Sequence, residues 1–210
     1  MIFVRRFFML ILLVFSVSSV FSQEKPDALE LYRHGKYQEA INVCLQELQE
    51  RDIKTEARRR MDSYTVLGWS LLKQGKYQQA LKYALQAREE NRYDSRIIEI
   101  QGEALYYLGE NLEALKIFEE YVSINPTGER IDLVYYYMGE IFLRLSEYNN
   151  ADIAFSTALH HSPNAAYWWV RLGYTREQLG DTEGAKAAYR KALELKPSLE
   201  NARTSLERLG

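Results

Sequence analysis

The chain has 210 residues, 47% of them hydrophobic and 27% charged, with only four prolines. That length supports one or two domains with a full core, and that composition excludes a disordered or collagen-like chain. A net charge of −2, from 27 basic and 29 acidic residues, argues against a general nucleic-acid binder, and one cysteine, Cys44, excludes a disulfide framework or a Cys-rich zinc site.

Residues 1–22 read MIFVRRFFMLILLVFSVSSVFS and have the pattern of an export signal. Arg5 and Arg6 precede an apolar run from Phe7 to Phe15, and Val20 and Ser22 occupy the small-residue places before a cleavage site. The run is short of the roughly 20 apolar residues that span a bilayer. Cleavage after Ser22 is expected to leave residues 23–210, at a net charge of −4 once Arg5 and Arg6 are gone, in an exported and bacterial periplasmic location. The alternative is an uncleaved segment anchoring the chain to the inner membrane. No membrane span is expected after cleavage.

From residue 24 onward a turn residue and an alanine recur together. Gly35-Lys-Tyr37-Gln-Glu-Ala40 returns as Gly75-Lys-Tyr77-Gln-Gln-Ala80, Gly109-Glu-Asn111-Leu-Glu-Ala114, Ser146-Glu-Tyr148-Asn-Asn-Ala151 and Gly180-Asp-Thr182-Glu-Gly-Ala185. The alanines are 40, 34, 37 and 34 residues apart, so two copies carry insertions, at about 52–57 and 129–131. Seven residues before each turn stands a small residue: Ala28, Gly68, Gly102, Gly139 or Gly173. Cys44, Ala84, Phe118, Phe155 and Tyr189 follow the alanines by four, on one helical face. Pro126, Pro163 and Pro197 stop the second helix of three copies. The unit is a helix–turn–helix, and Cys44 reads as a small core residue within it.

These residues resemble the tetratricopeptide repeat family. The fifth copy carries Trp169, Leu172-Gly173, Gly180, Ala185, Tyr189, Ala192 and Pro197, and the second carries Tyr64, Leu67-Gly68, Gly75, Tyr77, Ala80 and Ala87. The resemblance covers about residues 24–199, with repeats at about 24–54, 61–94, 95–128, 132–165 and 166–199. It implies an all-α fold, a right-handed superhelical solenoid of five helix pairs plus a C-terminal capping helix at about 198–209.

An enzyme is not expected. Gly-Lys at 35–36 and 75–76 lacks the rest of a phosphate-binding loop. His160 and His161 fall at a helix end, and His34 stands apart, so neither a metal nor any other cofactor is implied. Glu89-Glu90 and Glu119-Glu120 read as solvent-facing pairs, and the Arg58–Arg60 run reads as a solvated helix start.

Function is therefore expected in a surface. The resemblance implies a concave groove lined by first helices and a protein or peptide partner held there. Its wall positions carry over to Tyr32 and Arg33; Trp69 and Lys73; Arg96, Glu99, Glu103, Tyr106 and Tyr107; Tyr136, Glu140 and Arg144; and Tyr167, Tyr174 and Glu177. Aromatic residues with interleaved charge suit a binding surface. Tyr64, Tyr135, Trp169 and Tyr189 fill motif core slots, and Trp168 is divided between site and packing. Thr65, Trp69, Glu99 and Glu103 stand where related proteins carry a carboxylate clamp, which sets that subclass aside. Glu99, Glu103, Glu140 and Glu177 point to a partner segment with apolar and basic anchors.

The leading expectation is a non-enzymatic adaptor of the cell envelope. One alternative is a carrier or transporter-associated subunit holding a small apolar ligand, which a sealed pocket of Trp69, Tyr106, Tyr107 and Tyr136 would favour over an open trough. The other is a homo-oligomer assembling through terminal repeats.

Overall fold

The computed structural model describes residues 27–49 and 56–210. Among them are eleven α-helices: α1 Ala28–Arg33, α2 Tyr37–Gln49, α3 Glu56–Lys73, α4 Tyr77–Glu90, α5 Ser95–Leu108, α6 Asn111–Ile124, α7 Ile131–Arg144, α8 Tyr148–His161, α9 Ala166–Gln178, α10 Thr182–Leu195 and α11 Glu200–Leu209. They form five antiparallel-type pairs and a terminal helix. The expected export signal lies outside the described residues, as does most of the first insertion. Its described end starts α3, which has 18 residues against 14 in α4. The second insertion lengthens the turn from Asn125 to Arg130, ahead of α7.

Local chemistry explains where the helices stop. Asp94 caps α5 by accepting from the Arg96 amide, and Gly109 ends it at φ 85° with no Cβ to clash. Ser146 occupies the equivalent turn after α7 at φ 60°, the only described residue other than glycine with positive φ. The prolines at 126, 163 and 197 follow α6, α8 and α10 by two residues, as the pattern requires.

Packing within a pair is set by two positions. Ala40, Ala80, Ala114, Ala151 and Ala185 are fully buried, and so are Phe118 and Phe155 one turn further on. Each such ring lies across the small residue of the first helix. A Cβ on Gly102 would come within 2.4 Å of the Phe118 ring, so the glycine is what admits the phenylalanine. The second pair departs from this scheme. Ala84 takes the aromatic slot, and Ile100 of the next repeat leans over Gly68 instead. Cys44 is buried in the same slot of the first pair, and burial pushes its thiol up to about 12, so it is a core residue.

Between pairs, each second helix packs on the next first helix. The first helices α1, α3, α5 and α7 also touch one another in succession, which the second helices do not do to a comparable degree. The more closely packed layer is the inner side of the curve. Leu199 and Ala202 are buried where α11 closes the last pair. Polar bonds about one repeat apart stitch the stack: Arg60 to Glu90 at 2.6 and 2.9 Å, and Arg88 to Glu120. Glu90 and Glu120 are thus inter-repeat partners, Glu90 exposed as expected and Glu120 partly buried, and Arg60 is structural, while Arg58 and Arg59 are exposed.

Candidate functional site: an inner trough centred on Trp69

The inner layer has an open half and a closed half. In the open half, Trp69 of α3 stands half-buried, with the Tyr32 ring of α1 at 5.8 Å and the Arg130 guanidinium 5.7 Å over its indole. Two adjoining concavities meet at Trp69 and Arg96. One, of about 570 Å³, is lined by Tyr32 and Tyr121 and rimmed by Ser95, Asn125, Glu129 and Arg130. The other, of about 550 Å³, is lined by Ala28, Leu29 and Val66 and edged by Asp27, Glu47, Arg59 and Asp62.

Two of the arginines that border this trough, Arg96 and Arg130, are each held by two carboxylates. Arg96 reaches Asp62 at 2.5 Å and Asp94 at 2.7 Å. Arg130 reaches Glu99 at 2.7 Å and Glu103 at 3.7 Å, with its Nε buried and without a hydrogen bond. Glu99 is fully buried, and its other oxygen accepts from the Trp69 indole at 3.3 Å. Glu103 lies one turn along α5, buried beside Glu99 and Tyr137. Burial, reinforced by the neighbouring Glu99, pushes the Glu103 carboxyl up to about 7.

The closed half is an aromatic stack. Tyr77 stacks on Tyr107 at 4.6 Å, Tyr106 meets Tyr137 at 4.9 Å, and Tyr136 stacks on Trp168 at 4.9 Å. Tyr106 is buried, with the Arg144 guanidinium 3.9 Å from its ring and bonded to its carbonyl. Burial raises the Tyr106, Tyr136 and Tyr137 phenols above their ordinary value. Trp169 donates to the Pro163 carbonyl at 2.8 Å.

The structure therefore divides the expected site residues. Tyr32, Trp69, Arg96 and Glu99 line one trough. Tyr106, Tyr107 and Tyr136 pack together away from Trp69, so the four aromatic residues do not share a pocket, and Trp168 serves the stack. Arg33 and Lys73 are exposed at the ends of α1 and α3, and Tyr167 and Tyr174 are exposed on α9. Tyr167 carries Lys196 on its hydroxyl at 2.6 Å.

The carboxylates expected to receive basic anchors are already engaged. Glu99 pairs with Arg130, Glu140 takes both donors of Arg171, and Glu177 accepts from Arg208 at 2.5 Å and from Tyr189 at 2.5 Å. Each of these Arg residues follows its Glu by 31 positions. That spacing was visible in the sequence and is the signal that would have found Arg130. Asn125 and Glu129 had no such signal, because the lengthened turn before α7 brings them to the trough, and Tyr121 of α6 occupies a repeat core slot that gave no hint of the trough.

Comparison with known proteins agrees with this geometry. Residues 65–129 and 168–199 each match a tetratricopeptide repeat family model. A 69-residue stretch is 39% identical to the peroxisomal targeting signal receptor of Kluyveromyces lactis, covering 33% of this chain and 12% of that protein. The chain thus matches about an eighth of that relative's length. MamA from Desulfovibrio magneticus superposes with a TM-score of 0.67 at 18% identity, over 82% of this chain and 93% of that one. TTC0263 of Thermus thermophilus gives 0.64 at 20% identity, over 87% and 94%. YrrB, described as a repeat protein with an unusual peptide-binding site, gives 0.64 at 17%, over 86% and 88%. At these identities the superpositions establish the fold. The two matched stretches are tetratricopeptide repeats, and the chain has the α-solenoid fold of tetratricopeptide repeat proteins, a class that serves as scaffolds for protein–protein interaction. Families of this kind are typically non-enzymatic.

Proposed function

We propose that this protein is an adaptor that holds a segment of a partner protein in the trough formed by α1, α3 and α5. The observation that carries this reading is the pair of open concavities joined at Trp69, on the inner layer of the solenoid. Trp69, Tyr32 and Tyr121 offer large apolar faces with polar tips, the make-up of an interaction hot spot. Ser95, Asn125 and Glu129 on the rim supply donors and acceptors for an extended backbone. The pairing of Glu99 and Glu103 with Arg130 leaves Asp27, which caps α1, Glu47, which accepts from Ser63 at 2.6 Å, and Glu129 as the acidic groups among the described residues that face the concavities without an arginine partner. The signal-like residues 1–22 support placing the adaptor in the cell envelope, which the amino-terminal sequence of the mature protein would check.

Selection of random peptides on the immobilised chain tests the trough. Enriched peptides should lose binding to a Trp69→Ala variant and keep it with Tyr174→Ala, since Tyr174 lies on α9 outside the trough. Peptides that bind Trp69→Ala as well as the parent would move the site elsewhere.

A further inference from the structure

Glu99 and Glu103 are one helical turn apart on α5 and both buried. Two buried carboxylates one turn apart repel each other when both are ionised, and desolvation adds to that cost, so the pair favours holding one proton. A single cation, Arg130, serves both, and unequally: its Nη2 is 2.7 Å from Glu99 and 3.7 Å from Glu103. Its Nε is buried with no partner, so the guanidinium has a donor in reserve. The same guanidinium covers the Trp69 indole, and Glu99 receives the indole N–H. The buried carboxyl pair and the floor of the trough are therefore joined through one side chain.

We propose that the Glu99–Glu103 pair is a proton-operated switch, whose loss of a proton to solvent draws Arg130 off the Trp69 face and onto Glu103, making partner binding in the trough depend on pH. The inference rests on the trough being the binding site. Once both carboxyls are ionised, their mutual repulsion is relieved only by a cation between them. The idle Nε gives Arg130 a second bond to offer, which a singly ionised pair does not require.

One further acidic group, Glu129 of the turn before α7, lines the same concavity as Arg130, and the remaining charged and titratable groups around α5 are engaged elsewhere or are neutral phenols. From α1 comes Tyr32, whose phenol is raised by burial. On α3, Asp62 is bound to Arg96, and on α4, Arg88 is bound to Gln101 and Glu120. Tyr121 of α6 and Tyr137 of α7 are raised phenols, neutral across the working range. Asp132 and Glu140 of α7 are held by Ser162 and Arg171. Within α5, Arg96 is held by two aspartates, and Tyr106 and Tyr107 sit in the aromatic stack.

The test is tryptophan emission of the full chain from about pH 5 to about pH 8.5, for the parent, Trp69→Phe and Glu103→Gln. The expected result is a one-proton transition near neutrality in the parent, lost in both variants. A flat parent titration, or a transition that survives in Glu103→Gln, overturns the proposal. Because Glu103→Gln alters a buried network, carboxyl 13C titration of the unsubstituted protein gives a second reading. One glutamate should titrate well above the rest, and a single acidic set would overturn the switch. Peptides selected for Trp69-dependent binding should change affinity severalfold across the transition, and not in Glu103→Gln. An unchanged affinity overturns the coupling. If no Trp69-dependent peptide is found, the adaptor site fails while the emission result still reports on the proton.

Discussion

The trough around Trp69 and the stack around Tyr106 are built from equivalent positions of neighbouring repeats, yet one is open and the other closed. Trp69 and Glu103 both lie one residue after the repeat glycine, and Leu72 and Tyr106 both lie four after it. What differs is the material that the following elements deliver. Ahead of α7 the inserted turn brings Asn125, Glu129 and Arg130 to the rim and props the trough open with polar groups. Beyond α7 the connections are short, and Tyr136, Tyr137 and Trp168 close ring on ring. A wall position in a repeat solenoid is a place, and its neighbours decide whether it becomes a surface or a core.

Breaking the central ion pair should have the largest effect. Arg130→Ala leaves Glu99 buried without its cation, which costs about 3–5 kcal/mol for a pair of this kind. Urea unfolding should show it, and a Glu99→Gln, Arg130→Met double variant should recover most of the loss. A loss unchanged by the second substitution would mean that the turn itself, not the charge, holds the joint.

The two aromatic regions should then separate cleanly. Tyr106→Ala removes a buried ring and should cost about 3 kcal/mol or more. Trp69→Ala removes a half-buried one and should cost clearly less stability while abolishing peptide binding. Equal losses would erase the distinction between stack and trough. For the same reason a Tyr106→Ala, Tyr136→Ala variant is a poor probe of binding, because unfolding would imitate loss of the site.

A smaller effect sharpens the comparison through pH. The Glu103 carboxyl is raised in the folded state, so folding favours its protonated form. Its stabilisation is complete below the ordinary carboxyl value of 4.5, falls as pH rises, and is lost above about 7. The change should be on the order of 1–3 kcal/mol between acid and neutral unfolding midpoints, and Glu103→Gln should flatten it. The aromatic half has no counterpart.

The smallest prediction lies in a turn. Ser146 holds φ at 60° where the other repeats place glycine. Ser146→Gly should stabilise the chain by up to about 1 kcal/mol, the left-handed penalty of a residue with a Cβ less the extra entropy of glycine. A fall in melting temperature would show that the serine side chain contributes more than its backbone strain removes.

The amino-acid sequence alone determined the helix pairs, because the turn residue, the buried alanine and the ring four residues later are local features of fixed spacing. It also determined that Cys44 belongs to the core and that the Gly-Lys pairs at 35–36 and 75–76 are turns. It carried a hidden record of the inter-repeat pairs in the Glu-to-Arg spacing of 31. Only the tertiary structure decided which wall positions stay open. Tyr106 and Trp69 look alike in one dimension, and burial depends on what the next repeat and its turn place against them. Likewise, Glu99 and Glu103 read as groove charges until stacking buried both beside a single arginine, where desolvation and repulsion change what a carboxyl group can do.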